Sequence, residues 1–239
     1  MKFWRFTEVR TATPVAVVVT WCLVCTHPFV SIAKDASDEF GAHLERIEAT
    51  VAEGDYKSAK RKAAKFEREM LDRIIGGPRV PEYLGEIARL HAIALAGVGE
   101  MDHAAWKWQI ALAISPETTD QEFDDFGDVG RDLQAFIRTN PVLVDPANSM
   151  REKGSQPVPT KQPTIRYPKA QGKLKLHGSV VVQIVIGIDG KPYNPQIVKL
   201  SGRPIMAYST LVGLRRWRFE PSMVDGTPVN SFMTITMRF

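Results

Sequence analysis

The 239-residue sequence predicts two domains, an all-α run of helical hairpins followed by a small α+β unit with an antiparallel sheet. Three observations carry this. Apolar residues recur at spacings of three and four from Phe40 to Leu95, a helical period, and at spacings of two from Val180 to Ile186, a strand period. Residues 145–163, rich in Pro, Gly, Ser, Lys and Gln, separate the two patterns. Across that stretch the charge balance reverses, from 17 basic and 23 acidic side chains over residues 34–163 to 11 basic and 3 acidic over residues 164–239. Opposite signs suit domains with different partners or domains that attract each other, and two solvated surfaces of unequal composition account for them equally well. With 44% hydrophobic and 24% charged residues, the composition is that of an ordinary globular chain.

Residues 1–33 stand apart from the fold. Lys2, Arg5 and Arg10 precede an almost uncharged apolar run over residues 14–32, and Ser31 and Ala33 offer small residues where a signal peptidase reads. The expectation is export and cleavage after Ala33, which leaves a periplasmic chain. The alternative is an uncleaved inner-membrane anchor facing the periplasm, since about 19 residues just span hydrocarbon. His27-Pro28 would place a polar ring and a missing helix hydrogen bond at membrane depth. Neither Cys22 nor Cys25 follows the small residues that lipidation requires. Both cysteines lie in this segment, so the cleaved chain has no thiol for a disulfide, for catalysis or for a metal.

Residues 34–144 are expected to be helical. Phe40, Leu44, Ile47 and Val51 form one amphipathic stripe, broken by Gly54-Asp55. Ala59, Ala63, Phe66 and Met70 form the next, stopped by Gly76-Gly77-Pro78. Pro81 suits a first helical turn, and Leu84, Ile87, Leu90, Ala94 and Leu95 continue a buried face up to Gly99. A further helix runs over residues 104–114 to Ser115-Pro116, and a short one over residues 133–137 ends at Asn140-Pro141. Ala88, Ala92, Gly99, Ala104, Trp108, Ala111 and Pro116 carry small and aromatic residues at spacings that resemble a tetratricopeptide repeat, and Gly54, Ala59 and Ala63 resemble a degraded earlier copy. The glycine-to-glycine period from 54 to 99 departs from the roughly 34 residues of that family, and a plain antiparallel bundle explains the pattern as well. The acidic residues Glu117, Asp120, Glu122, Asp124, Asp125, Asp128 and Asp132 fit no calcium-loop register and read as a solvated face.

After a linker at residues 145–163, which extended would reach roughly 60 Å, the C-terminal unit at residues 164–239 begins. Val180, Val182, Ile184 and Ile186 line one face of a strand, Asp189-Gly190 turns a hairpin into residues 192–200, and residues 204–214 have helical spacing. Trp217 and Phe219 point to one face of a short strand, where two rings fill the core beneath the helix. Arg215, Arg216 and Arg218 alternate outward or cap the helix's negative end. The turn Asp225-Gly226 then leads to a last alternating strand over residues 229–239.

Six short motifs in one contiguous span resemble the TonB C-terminal domain. They are Tyr167-Pro168-Lys169-Ala170, Gly178-Ser179-Val180, Ile188-Asp189-Gly190-Lys191, Leu200-Ser201-Gly202, Leu214-Arg215-Arg216-Trp217-Arg218-Phe219-Glu220-Pro221, and Asp225-Gly226-Thr227-Pro228-Val229 with the closing Phe239. The motif residues Tyr167, Pro168, Gly178, Asp189, Gly190, Ser201, Gly202, Trp217, Phe219, Pro221 and Gly226 are read as mainly structural. The resemblance implies binding by β-strand addition, in which a terminal edge strand pairs with an extended peptide from an outer-membrane transporter. Carried over, that edge comprises Val229, Ser231, Phe232, Met233, Thr234, Ile235, Thr236 and Met237. It has neither charge nor proline to blunt it, which suits a docking edge, a homodimer contact or cover by the helical domain.

Two functions follow from the resemblance. One is energy-coupled transport across the outer membrane. The other is a periplasmic adaptor with no link to a proton-driven motor, and this chain departs from the family's transducers toward it: Leu23 stands where they carry a serine four residues before the anchor histidine, and the linker is short. Catalysis is not expected, because His43, His91, His103 and His177 are scattered and no hydrolase or zinc-protease motif occurs. No cofactor, metal or nucleic-acid partner is expected; the partners implied are other envelope proteins.

Overall fold

The computed structural model describes residues 29–72, 79–115, 117, 123–140, 142, 155–167 and 177–239, with side chains from residue 39 onward. The expected signal or anchor segment lies outside the described residues but for the backbone of residues 29–33. The same holds for Gly76-Gly77-Pro78, for Pro168-Lys169-Ala170 and for residues 145–154 of the expected linker. No described helix is long and apolar enough to cross a membrane.

Among the described residues five helices come first: α1 (Phe29–Ala52), α2 (Tyr56–Asp72), α3 (Val80–Gly97), α4 (Met101–Ile114) and α5 (Gly127–Thr139), the last entered through a 3-10 turn at Phe123–Phe126. Asp55 starts α2 as the spacing foretold, its Oδ1 accepting the N–H of Ser58 at 3.0 Å. Beyond α3 the N–H groups of Gly99 and Glu100 return to the carbonyls of Ala96 and Leu95, at 2.8 and 2.9 Å, closing the helix end and turning the chain into α4. α3 runs through the middle of the helical domain, packed on α1, α2, α4 and α5. The small residues Ala59, Ala63, Ala88, Ala92, Ala104 and Ala111 are all buried at these crossings. α5 starts at Gly127, six positions ahead of the expected 133. The Phe123 ring stacks on Trp108 with centroids 4.1 Å apart, which anchors the acidic segment to the helical core. Asp124, Asp125, Asp128 and Asp132 face solvent.

The C-terminal unit holds β2 (Ser179–Ile186), β3 (Pro192–Ser201), α6 (Pro204–Leu214), β4 (Arg218–Glu220), β5 (Ser222–Val224), β6 (Thr227–Val229) and β7 (Ser231–Arg238). Its main sheet has the order β3-β2-β7, with both pairings antiparallel. The first described strand, β1 (Val158–Lys161), falls within the expected linker and pairs antiparallel with β4, Val158 opposite Glu220 and Pro159 opposite Phe219. A four-residue segment with a central proline has no periodicity to announce it; only its distant partner makes it a strand. The final strand expected over residues 229–239 is divided. Asp225 and Gly226, at φ 50° and 78°, form a turn with two left-handed residues that folds β6 back on β5, and Asn230 separates β6 from β7.

The inner face of the sheet, Val180, Val182, Ile184, Ile186 and Ile235, is buried beneath α6. The opposite side of α6 rests on α3 and α4. Nearly every residue of α6 is therefore buried. A continuous apolar cluster runs from Phe40 and Leu90 through Trp106 and Ile110 to Tyr208, Leu211 and Val182. The two domains thus share one core.

Candidate functional site: the terminal strand and the junction behind it

β7 occupies one edge of the main sheet. Ser179 stands opposite Arg238 and Ile186 opposite Ser231, in register without a bulge. The other edge of β7 has no strand beside it among the described residues. The N–H of Phe239 donates to the Gly178 carbonyl at 3.0 Å. In an antiparallel ladder the paired positions alternate, so Met237, Ile235, Met233 and Ser231 direct their main-chain groups toward β2, while Arg238, Thr236, Thr234 and Phe232 direct theirs outward. The side chains follow the same alternation: Ile235 is buried, Ser231, Met233 and Met237 are half-buried, and Phe232, Thr234 and Thr236 are exposed. Phe232, at 44% exposure, stands on the open face of the sheet. Of the residues read from sequence as the edge, Ser231 to Met237 lie on β7. Val229 does not; it lies on β6 and pairs with Ser222 of β5.

The motif residues build the frame behind this strand. Asp189 accepts the N–H of Lys191 at 3.0 Å and the Tyr193 hydroxyl at 2.8 Å, tying the hairpin turn to β3. Burial would raise the Asp189 carboxyl, but these bonds and the Lys191 ammonium hold it below its usual range. Gly190 has φ 71°, its carbonyl accepts the N–H of Phe219 at 3.0 Å, and a Cβ there would sit 2.2 Å from the Phe219 carbonyl oxygen. Gly178, at φ 155°, leaves its Cβ position only 1.9 Å from the Ser201 carbonyl oxygen. Gly202 follows β3, Pro221 separates β4 from β5, and Gly226 completes the β5–β6 turn. Trp217 and Phe219 are buried with ring centroids 6.2 Å apart, and Trp217 Nε1 donates to the Pro163 carbonyl at 3.2 Å. Arg218 Nη1 donates to the carbonyls of Arg215 and Trp217, at 3.0 and 2.7 Å, just past the end of α6. Tyr167 packs edge-on against Phe239 at 4.7 Å, so the opening motif meets the last residue of the chain.

A buried polar cluster joins the two domains and was not anticipated from sequence. Glu67 of α2 accepts from Lys107 Nζ of α4 at 2.7 Å to each carboxylate oxygen and from the Tyr208 hydroxyl of α6 at 2.7 Å. His91 Nδ1 of α3 lies 3.0 Å from the same carboxylate. All four side chains are buried. Burial alone would raise the Glu67 carboxyl, but the Lys107 ammonium and the His91 ring overcome it and hold the group well below the usual carboxylate range. Burial and the adjoining carboxylate push the Tyr208 phenol far up. Around the cluster, Trp106 Nε1 donates to the Leu211 carbonyl at 3.1 Å, Arg166 clasps Asp72 at 2.6 Å, and Gln109 accepts the N–H of Asn194 at 3.1 Å. A signal was available in the sequence. Glu67 falls on the apolar stripe that holds Ala63, Phe66 and Met70, and Lys107 lies between Trp106 and Trp108. Charges in those positions call for buried partners.

Comparison with known proteins agrees with this geometry. The family model described as Gram-negative bacterial TonB protein C-terminal matches residues 163–239. Protein TonB of Vibrio cholerae serotype O1 (strain ATCC 39315 / El Tor Inaba N16961) is 29% identical over 92 residues, covering 36% of this chain and 38% of that protein. The chain thus matches well under half the length of that relative. No solved structure matches the chain significantly. Residues 163–239 are a TonB C-terminal domain.

Proposed function

We propose that this protein is a binding module of the cell envelope, exported by its N-terminal segment, that takes up an extended segment of another envelope protein as an added strand along β7. The observation that carries the reading is the open edge: Phe232, Thr234, Thr236 and Arg238 turn main-chain donors and acceptors outward from a strand whose other side is fully paired. Similarity to a TonB protein makes an outer-membrane transporter the first partner to consider, in energy-coupled transport across that membrane. The chemistry is recognition and not catalysis.

A second reading is favoured by the shared core. A domain whose helix α6 is buried against α3 and α4 is fixed on the helical domain. That suits a periplasmic adaptor that presents two surfaces in a set relation, with no motor engaged. N-terminal sequencing of the protein from fractionated cells separates the readings. A soluble chain starting at Lys34 supports the adaptor, and a membrane-retained uncleaved chain supports the transducer.

The edge itself is tested by a photocrosslinking amino acid at Thr236, with and without Thr234→Pro. Proline at 234 removes an outward N–H and none of the bonds to β2, so the fold should persist while the adduct to an envelope protein is lost. An adduct of undiminished yield in the proline variant would defeat strand addition at β7.

A further inference from the structure

A second surface lies at the junction. A groove of about 500 Å³ runs between α2, α4 and the C-terminal end of α6. Its walls are part apolar, from Leu71, Trp106 and Val212, and its rim is cationic, with Arg68, Arg166, Arg215 and Arg216 converging beside His103. Several of these cations are already matched: Lys107 in the floor by Glu67, and Arg166 by Asp72. Three have no carboxylate in contact among the described residues. Among the described residues, Arg216 donates only to the Thr164 carbonyl at 2.8 Å, Arg68 only to the Ala64 carbonyl at 3.2 Å, and Arg215 has no acceptor in contact. Arg215 stands between this groove and a smaller cavity lined by Phe136, Tyr193 and Arg218.

The neighbouring groups are shaped by burial first and by these cations second. Burial, then the Arg215 guanidinium, then Lys107 and His91 push His103 from its ordinary 6.5 down to about 3, against the opposing pull of Glu100. Burial and the Arg218 guanidinium depress Arg215 as well, with Asp102 and Glu100 pulling the other way.

We infer that the groove binds an acidic segment of polypeptide, its carboxylates held by Arg68, Arg215 and Arg216 and its apolar side chains lying on Leu71, Trp106 and Val212. Guanidinium forks match carboxylates in pairs, and a partly apolar groove of about 500 Å³ exceeds what a bare inorganic anion would fill. A polypeptide is also the occupant best placed to reach it. Ile165–Tyr167 joins the groove, through Arg166, to the end of β7, where Tyr167 packs on Phe239. The inference does not depend on strand addition, because Arg68, Arg215, Arg216, Leu71, Trp106 and Val212, which would hold the segment, all line the groove.

The test uses the protein with 15N-labelled histidine and three probes: a short peptide containing Glu, Asp and Leu, its Gln/Asn/Leu counterpart, and inorganic phosphate, with anionic phospholipid vesicles as a fourth arm. The acidic peptide should bind and raise the His103 titration toward its ordinary value, while the neutral peptide leaves it in place. Arg68→Gln, on the exposed face of α2, should weaken that binding at least tenfold without changing the thermal midpoint, and Arg215→Gln should weaken it further. Equal binding of the two peptides, unchanged affinity in Arg68→Gln, or tighter binding of phosphate or vesicles than of the acidic peptide would each overturn the inference.

Discussion

Glu67 is bound by three donors from three helices, and the consequence is asymmetric. Glu67→Gln removes the carboxylate that compensates a buried lysine, so the loss should be about 3–5 kcal/mol of stability, the usual cost of breaking a buried pair by removing one partner. Tyr208→Phe removes one hydroxyl bonded to a charged group and should cost roughly 1.5–3 kcal/mol. Denaturant midpoints of the two variants check both numbers and their order. Acid should act at Glu67 and at His103, whose ring lies 5.9 Å from that of His91. His103 has a folded value depressed from 6.5 to about 3, so below pH 6.5 the unfolded chain takes up a proton that the folded chain refuses. Stability should therefore fall as pH drops through that window. It should fall again below about 4.5, where Glu67, depressed in the fold, is protonated only on unfolding. Urea midpoints from pH 8 to 3 show this directly, and His103→Gln should remove the upper part of the decline and spare the lower. Such residues were half-legible in the sequence. A glutamate on an apolar stripe signals a partner, but nothing local says that the partners are 24, 40 and 141 positions away.

Elements were legible where their pattern is local. The alternation of Val180, Val182, Ile184 and Ile186 gave β2, and Asp189-Gly190 gave its hairpin, because a two-fold period and a left-handed glycine are written in adjacent residues. β1 was hidden because Val158–Lys161 has no pattern of its own and exists as a strand only beside β4. The split of the last strand was missed for a related reason: the same alternation serves both β6 and β7, and only the tight Asp225-Gly226 turn decides that Val229 pairs backward. The tightest element-level constraint is at Gly190. Alanine there would bring a Cβ to 2.2 Å from the Phe219 carbonyl oxygen at a positive φ, and so should part the β2–β3 turn from β4. The expected loss is about 1–2 kcal/mol from the backbone conformation alone, with the clash in addition. Hydrogen exchange should show the Phe219 amide, which donates to Gly190, losing protection before those of β2.

At the scale of the molecule, two domains foreseen from a change of period and of charge turn out to share one core. The sequence could not show this, because the α6 face that meets α3 and α4 and the face that meets the sheet are both apolar, and a helix buried all round has no stripe to read. The charge reversal has a structural counterpart in the contacts of Arg166 with Asp72 and Lys191 with Asp102, which cross the junction with the basic partner on the C-terminal side. Thermal unfolding should then be one cooperative transition, with calorimetric and van't Hoff enthalpies equal. Residues 163–239 produced alone would expose the outer side of α6, including Tyr208 and Leu211, and should show reduced exchange protection in α6 and concentration-dependent association.

The unbroken register of β7 on β2 has a mechanical meaning. From Ser179 against Arg238 to Ile186 against Ser231, the two strands lie side by side along their whole length. A tug applied along β7 by whatever is zipped to its outer edge would be resisted by many parallel bonds in shear, where a pull across the sheet would unpeel them one after another. Behind β2 that strain passes through the sheet's apolar face into α6, and from α6 into the helices. The strand's orientation therefore decides in which direction this protein can be pulled and hold.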